Sequence, residues 1–182
     1  MNQTTEGVTL WAAFILDILR EVKKLEFDIS ELEKICENYD LSSPYNLVPI
    51  DVYNAMCAWV ENYLGDEVIV RIGNNVGATV YNSLKENTII HEESEPLEIM
   101  ESLIVAAESM IHDPEERGWE IIKCNNNSIQ MRRTQTFNSR LQFGLLEGLI
   151  GKSPQVKDIH VSYVKEVAKG DEFDEYLVQW FN

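Results

Sequence analysis

Residues 138–150, NSRLQFGLLEGLI, constrain the fold of this chain more than any other segment. At about 100° per residue, a helix that starts at Asn138 or Ser139 would be apolar on two faces. One face carries Leu141, Gly144, Leu145, Gly148 and Leu149, and the other carries Phe143, Leu146 and Ile150. Such a helix has to be buried on two sides. Each interior glycine costs about 1 kcal/mol relative to alanine. That cost is tolerated where the bare face lets the backbone approach a sheet, another helix or a ligand, and close packing is the more common reason.

The residues just before this helix, MRRTQTFNSR, collect three arginines in an acidic chain. If residues 128–136 form a strand, alternation places Arg133 on the face of Ile129 and Met131, and Arg132 on the opposite face. A buried arginine requires an acidic partner or a bound anion. The chain has 31 Asp and Glu residues, which favours an internal salt bridge. A bound carboxylate or phosphate is the alternative.

The hydrophobic pattern changes near residue 113. Before it, apolar residues recur at helical spacing in five segments, of which the last runs from about Pro96 to His112. The first of these helical faces comprises Trp11, Phe14, Ile15, Ile18, Leu19 and Val22. The stretch LSSPYNLVP is predicted to be a loop. After residue 113, GWEIIKC and SIQMRRTQT around NNN predict one strand hairpin, and VKDIHVSYVKEV with DEFDEYLVQWF predicts a second.

This order of elements predicts an α+β fold. An N-terminal helical bundle is followed by a roughly four-stranded antiparallel sheet, and the glycine-bearing helix is inserted between the two hairpins. We expect one domain over residues 1–182. Residues 1–113 would be mainly helical, and residues 114–182 would form the hairpin, helix and hairpin.

Charge and cysteine content narrow the classes of function. The formal net charge is -16, which argues against binding to nucleic acid or to anionic lipid, since both require clustered Lys and Arg. Cys36, Cys57 and Cys124 are scattered and odd in number, as expected in a reducing cytoplasm. The first 24 residues lack the basic region of a signal peptide and are too polar for a membrane span. We therefore predict a cytoplasmic protein with no membrane span.

The motifs of common enzymes are missing from the sequence. RIGNNVGATV has neither the dinucleotide nor the phosphate-loop spacing, and there is no G-x-S-x-G. His91, His112 and His160 form no metal-binding pair by spacing. A Cys–His pair brought together by the fold remains the one alternative for catalysis. We predict no catalytic residue, no metal and no enzymatic activity.

The last third of the chain, FGLLEGLIGKSPQVKDIHVSYVKEVAKGDEFDEYLVQW, resembles the nitric-oxide-signalling/Golgi-transport ligand-binding fold. That superfamily includes haem nitric-oxide/oxygen-binding (H-NOX) domains, vinyl-reductase-type sensor domains and TRAPP-type subunits. The shared pattern is a glycine-bearing helix, a strand, a Gly-Asp turn and a last strand that ends in an aromatic residue. The first half, VPIDVYNAMCAWVENYLGDEVIVRIGNNVG, is similar to the N-terminal sensor domains of some AraC-type regulators.

This resemblance implies a non-enzymatic sensor or interaction domain that binds a small apolar molecule, a partner signalling protein, or both. The expected pocket combines the glycine-bearing helix, the fifth helix and one arginine as polar anchor. Its predicted residues are Met100, Ile104, Met110, Arg133, Phe143, Gly144, Leu145 and Gly148. A homodimer through the apolar face that carries Trp11, Phe14 and Ile18 is a further expectation, and burial in the core explains that face equally well.

The resemblance also implies an alternative, a haem-based sensor of nitric oxide or oxygen. H-NOX domains hold haem through a helix histidine and a later Tyr-x-Ser-x-Arg motif. By order along the chain, His112 is the match for the histidine. In TFNSR, however, Phe137 stands where tyrosine is expected, and Ser139 and Arg140 are adjacent. On a helical wheel His112 also lies near Glu101, away from the apolar face. The main prediction therefore includes no cofactor.

Overall fold

The computed structural model describes residues 4–181, which form six helices and two antiparallel sheets. The helices are α1 (Ala13–Lys24), α2 (Ser30–Cys36), α3 (Ile50–Leu64), α4 (Asp66–Glu86), α5 (Pro96–Met110) and α6 (Ser139–Ile150). The strands are β1 (Thr9–Trp11), β2 (Leu47–Pro49), β3 (Ile111–His112), β4 (Trp119–Asn125), β5 (Ser128–Arg133), β6 (Asp158–Lys165) and β7 (Asp174–Phe181). The predicted α+β class is confirmed.

The four-stranded sheet has the order β4-β5-β7-β6, and every neighbouring pair is antiparallel. Alternation along β5 buries Ile129, Met131 and Arg133. Met131 pairs with Tyr176 and Ile129 with Val178 on β7, and all four side chains are buried. The sheet therefore has one buried face, and Arg133 lies at one end of that face. The two predicted hairpins and the helix between them are confirmed.

Helix α6 is buried between α4 and the sheet, as its two apolar faces require. Asn138 caps its start, because the Asn138 Oδ1 accepts a hydrogen bond from the Leu141 amide at 2.9 Å. Towards α4 there is no room for side chains. A Cβ added at Gly144 would lie 2.9 Å from the amide nitrogen of Asn74, and one added at Gly77 would lie 2.7 Å from the amide nitrogen of Leu149. The glycines therefore serve the contact between two helix backbones.

The same contact explains why α4 is one continuous helix. Gly73 and Gly77 lie inside it and lower its intrinsic helix propensity, so its continuity is uncertain from the sequence. Both glycines are buried against α6. Packing of the two helices thus compensates for the weak propensity. At the start of α4, Gly65 has φ 94°, and this residue makes the sharp turn that separates α3 from α4.

The sequence did not predict the second sheet, which has the order β2-β1-β3. Trp11 belongs to β1 and not to the first helix, and the predicted loop LSSPYNLVP ends in β2. The fifth helix ends at Met110, since Ile111 is already extended (φ -123°, ψ 120°) and pairs with Leu10. His112 is therefore a strand residue and not the last residue of a helix.

None of the helices among residues 4–181 is long and apolar enough to cross a membrane. The face predicted for homodimerisation lies largely inside the protein. Ile18 is completely buried, and Phe14 packs edge-on against Tyr53 at 5.7 Å between ring centroids. Trp11 and Phe14 are each partly exposed, and the Trp11 ring contacts Tyr45. Burial in the core is the reading that the structure supports for this face.

Candidate functional site

Two spaces in the protein meet at Arg133. The first, which we call the inner cavity, has a volume of about 80 Å³ and lies between α1, α3, α4, α5, α6 and the β4-β5 hairpin. Its walls are mostly apolar and include Leu103, Leu145 and Phe137. The second, the outer cleft, has a volume of about 330 Å³ and opens beside the end of the four-stranded sheet. Arg133 therefore borders both a small, mostly apolar space and a larger, more polar one.

The guanidinium of Arg133 is buried, with 4% of the residue exposed. Its Cζ lies 4.3 Å from the ring centroid of Phe137 and 5.0 Å from that of Trp119. Nη2 donates a hydrogen bond to Gln135 Oε1 at 2.7 Å. Nε and Nη1 have no hydrogen-bond partner among the described residues. Burial lowers the pKa of Arg133 to about 9, so the side chain is still charged at neutral pH.

The amide of Gln135 connects Arg133 to a buried carboxylate. Gln135 Nε2 donates to Asp113 Oδ2 at 2.8 Å, and Arg117 Nε donates to the same oxygen at 2.9 Å. Burial by itself raises the pKa of Asp113, but the hydrogen bonds from Arg117, the Glu115 backbone and Gln135 lower it, and the net shift is downward. In place of the predicted salt bridge, Arg133 therefore has a hydrogen bond to the side-chain amide of Gln135. Asp113 forms its ion pair with Arg117.

An aromatic wall lies next to the guanidinium. Tyr53 packs between Phe14 and Phe137, with ring centroids 5.7 Å and 5.5 Å away. Burial raises the pKa of Tyr53 and of its neighbour Cys57 well above their ordinary values. Both groups are therefore protonated at neutral pH, and the Cys57 thiol is not prepared for nucleophilic attack.

Three of the residues predicted to form a pocket line the inner cavity: Met110, Arg133 and Leu145. No pattern in the sequence predicts that Phe14 of α1 and Tyr53 of α3 form an aromatic wall with Phe137. Phe14 was assigned to a helix face, and no local signal connected Tyr53 to residues some eighty positions later. The helical spacing of Phe14 predicts that it lies on an apolar helix face but not which residues it contacts.

The other five predicted residues lie elsewhere. Gly144 and Gly148 face the backbone of α4. Phe143 packs against a tyrosine ring of β6 at 5.2 Å. Met100 is completely buried in the core, and Ile104 is partly buried beside it, outside the walls of the inner cavity. The predicted set therefore does not form one continuous surface.

The residues of the inner cavity do not fit haem. Of the residue types that ligate haem iron, histidine and cysteine are absent from its sixteen described lining residues, whereas Tyr53 and Met110 are present. His112 is exposed on β3, opposite Thr9, and His91 and His160 are exposed as well. A volume of about 80 Å³ is also well below the roughly 300 Å³ at which pockets for drug-sized ligands begin.

The fold is that of H-NOX domains. Neither a family model nor a curated protein matches the chain. A solved H-NOX protein from S. oneidensis, in the Fe(II)NO ligation state, matches with a TM-score of 0.65 and 15% identity over 93% of this chain and 99% of that chain. An unliganded Fe(II) H-NOX variant from K. algicida matches with a TM-score of 0.66 and 12% identity over 95% and 97%. An H-NOX variant from T. Tengcongensis gives 0.62 and 13% over 95% and 98%. At such identities the comparison concerns the fold alone.

Proposed function

We propose that this chain is a non-enzymatic, cytoplasmic sensor domain that binds a small, mainly apolar molecule in the inner cavity and signals to a partner protein. The observation that carries the proposal is the cavity itself, a mostly apolar space bounded by an aromatic wall and by Arg133. Apolar walls with a few convergent polar groups are typical of ligand sites. Its volume of about 80 Å³ is roughly half that of an engineered protein cavity that binds benzene. The ligand would thus have only a few heavy atoms.

The position of the cavity suits a sensor. Its walls come from helices of the first half, from α6 and from the β4-β5 hairpin. A ligand that enlarges the cavity would move α1, α3, α5 or the hairpin relative to the α4–α6 pair, and it would favour whichever arrangement binds it better. The likeness to H-NOX domains supports a ligand-binding sensor at the level of the fold, and by itself it favours the haem-based alternative over an apolar ligand. That the domain binds a partner protein or forms a homodimer is part of the same proposal.

Xenon offers a direct test because it enters apolar cavities without needing a polar partner. We expect dissolved xenon to shift the ¹H–¹⁵N NMR signals of residues around the cavity, such as Leu103 and Leu145. Ala107→Phe should fill the cavity and abolish those shifts. Ala58→Phe, on the exposed side of α3, is the matched control and should keep them. If xenon leaves the spectrum of the wild type unchanged, the cavity does not accept ligands and the proposal fails.

A haem-based gas sensor is the second candidate, and the observation in its favour is the fold shared with proteins solved in Fe(II) and Fe(II)NO states. The cavity residues and the exposed position of His112 place it second. Visible spectroscopy after haem reconstitution separates the two. A Soret band that His112→Ala abolishes and His160→Ala retains would support this candidate. A protein that stays colourless would exclude it.

A further inference from the structure

The buried charge of Arg133 is incompletely satisfied. Nearly all buried polar groups in native proteins have hydrogen-bond partners, and a buried charge without a counter-ion is more costly than a neutral group. Here Nε and Nη1 have no partner among the described residues, and no ion pair of those residues includes Arg133. Phe137 and Trp119 lie close to the guanidinium but provide no acceptor in its plane. A group from outside the chain would supply what is missing.

The charges around Arg133 favour an anion. The buried network contains two guanidiniums, Arg133 and Arg117, but one carboxylate, Asp113, which is ion-paired with Arg117. Asp174, opposite Arg133 on β7, is buried as well, but its Oδ1 accepts a hydrogen bond from the Val167 amide and it forms no ion pair with Arg133. Glu115 lies 3.8 Å from Arg117 and is about half exposed. Arg133 therefore has no ion-pair partner within residues 4–181, and it lies at the wall of the inner cavity.

The inner cavity is a better place for this anion than the outer cleft. Four carboxylates line the outer cleft, Glu61, Glu166, Glu172 and Asp174. Arg140 also lines this cleft and is paired with Glu61, so the carboxylates still outnumber the arginines there and would repel an anion. Asp17 is the one carboxylate among the described residues that line the inner cavity. Asp17 Oδ1 is paired with Arg20 Nη2 at 2.6 Å.

We propose that the ligand of the inner cavity is a short-chain carboxylate, whose carboxyl group accepts hydrogen bonds from Arg133 and whose alkyl tail packs among Leu103, Leu145 and Val76. This inference rests on the proposed function and specifies its ligand class. A monocarboxylate supplies one negative charge, which equals the unpaired charge of Arg133. The small, mostly apolar cavity accommodates a tail of a few carbons, whereas a phosphate would bring more charge than one guanidinium balances.

Titration with butyrate, followed by calorimetry and by ¹H–¹⁵N NMR, tests the ligand class. Butyramide has nearly the same shape without the charge, so it is the matched control ligand on the wild-type protein. We expect Arg133→Met to weaken butyrate binding roughly 10- to 100-fold, the range for a lost hydrogen bond to a charged group. Arg132→Met makes the same change one residue away, on the opposite face of β5, and should leave binding unchanged.

The outcomes separate this inference from the proposed function. Butyrate binding that is lost in Arg133→Met and kept in Arg132→Met supports the carboxylate. Equal binding of butyrate and butyramide to the wild type overturns it, and this comparison needs no variant to fold. A wild type that binds xenon but not butyrate overturns the carboxylate and leaves the proposed function intact. Binding of neither ligand overturns both.

Discussion

Helix α6 joins two regions that are packed in different ways. Towards α4 its backbone lies so close to the other helix that four glycines are required, and no space is left for a Cβ. Beside Leu145, the same helix borders a cavity of about 80 Å³ next to a guanidinium, two nitrogens of which have no hydrogen-bond partner in the part of the chain that the structure describes. Interiors are normally close-packed and fully hydrogen-bonded. The first region therefore accounts for stability, whereas the second has features that stability alone does not explain.

The sharpest test of this difference makes one substitution in each region. Leu149→Ala removes a completely buried side chain of the packed region, and we expect a loss of about 4 kcal/mol in the free energy of unfolding. Leu103→Ala removes a side chain that is 4% exposed and already borders a void. It has fewer contacts to lose, so we expect about 2 kcal/mol. Urea denaturation measures both. Equal losses would mean that the cavity wall is packed as tightly as the helix crossing.

Adding a methyl group to the crossing should be nearly as harmful as removing a side chain. The Cβ in Gly148→Ala would lie 2.6 Å from the Asn74 carbonyl carbon, and backbone cannot rotate away. We expect a loss of about 3 kcal/mol. Gly118→Ala is the control, since nothing lies within 4 Å of a Cβ there, and it should change stability by less than about 0.5 kcal/mol. Chemical denaturation compares the two. A similar small effect at both glycines would contradict the close approach of the backbones.

Arg132, on the opposite face of β5, is ion-paired and so provides a comparison for Arg133. Arg132 pairs with buried Glu175 at 2.8 Å, and Lys165 and Gln130 donate to the same carboxylate at 3.0 and 2.7 Å. Glu175→Gln should therefore cost about 2 kcal/mol at pH 7. Glu120→Gln removes a half-exposed partner of Arg132 and should cost less than about 1 kcal/mol.

Acid should reduce the effect of Glu175→Gln. Burial by itself raises the pKa of Glu175. The hydrogen bonds from Lys165, Arg132 and Gln130 together lower this pKa by more than burial raises it, so the folded pKa lies below the ordinary value of 4.5. The stabilisation is then complete above pH 4.5 and is lost as the pH falls through the folded pKa. Denaturation curves from pH 7 downward measure the difference between wild type and variant. A difference that grows in acid would reverse the assigned direction.

The smallest effect concerns the start of α6, where the two regions meet. Asn138→Ala removes the cap on the Leu141 amide, together with the hydrogen bond that Asn138 Nδ2 donates to Glu61 Oε2, and should cost about 1 kcal/mol. Asn138→Ser keeps a capping oxygen and should recover the part of that loss that is due to the cap. Thermal unfolding of both variants measures the contribution of the cap. Equal melting temperatures for the Ala and Ser variants would show that the cap contributes nothing.

The elements that the sequence predicted are those with a long local pattern. Helix α6 and the strands of the four-stranded sheet repeat their period over six to twelve residues. The strands of the other sheet are two or three residues long, too short to show a period. They are joined by pairings such as Leu10 with Val48 and with Ile111. No local pattern contains such distant pairings.

The candidate site shows the same limit. Strand alternation placed Arg133 on the buried face, and this is confirmed. Its bonded partner could not be predicted, because the charge balance pointed to a carboxylate whereas Gln135, two residues later, provides the acceptor. The glycines of α6 were predicted to serve close packing or a ligand, and their actual neighbour, α4, is some seventy residues earlier in the chain.

The contact between α4 and α6 also has a mechanical consequence. Where side chains separate two helices, rotamer changes can absorb a displacement. Where backbones are in direct contact, no side chain can adjust, so the two helices move as one rigid unit. Leu145 lies on the inner cavity, and its carbonyl group lies against Gly77 of α4. A displacement of Leu145 would therefore move α4 over its full length of 21 residues, which is about 31 Å.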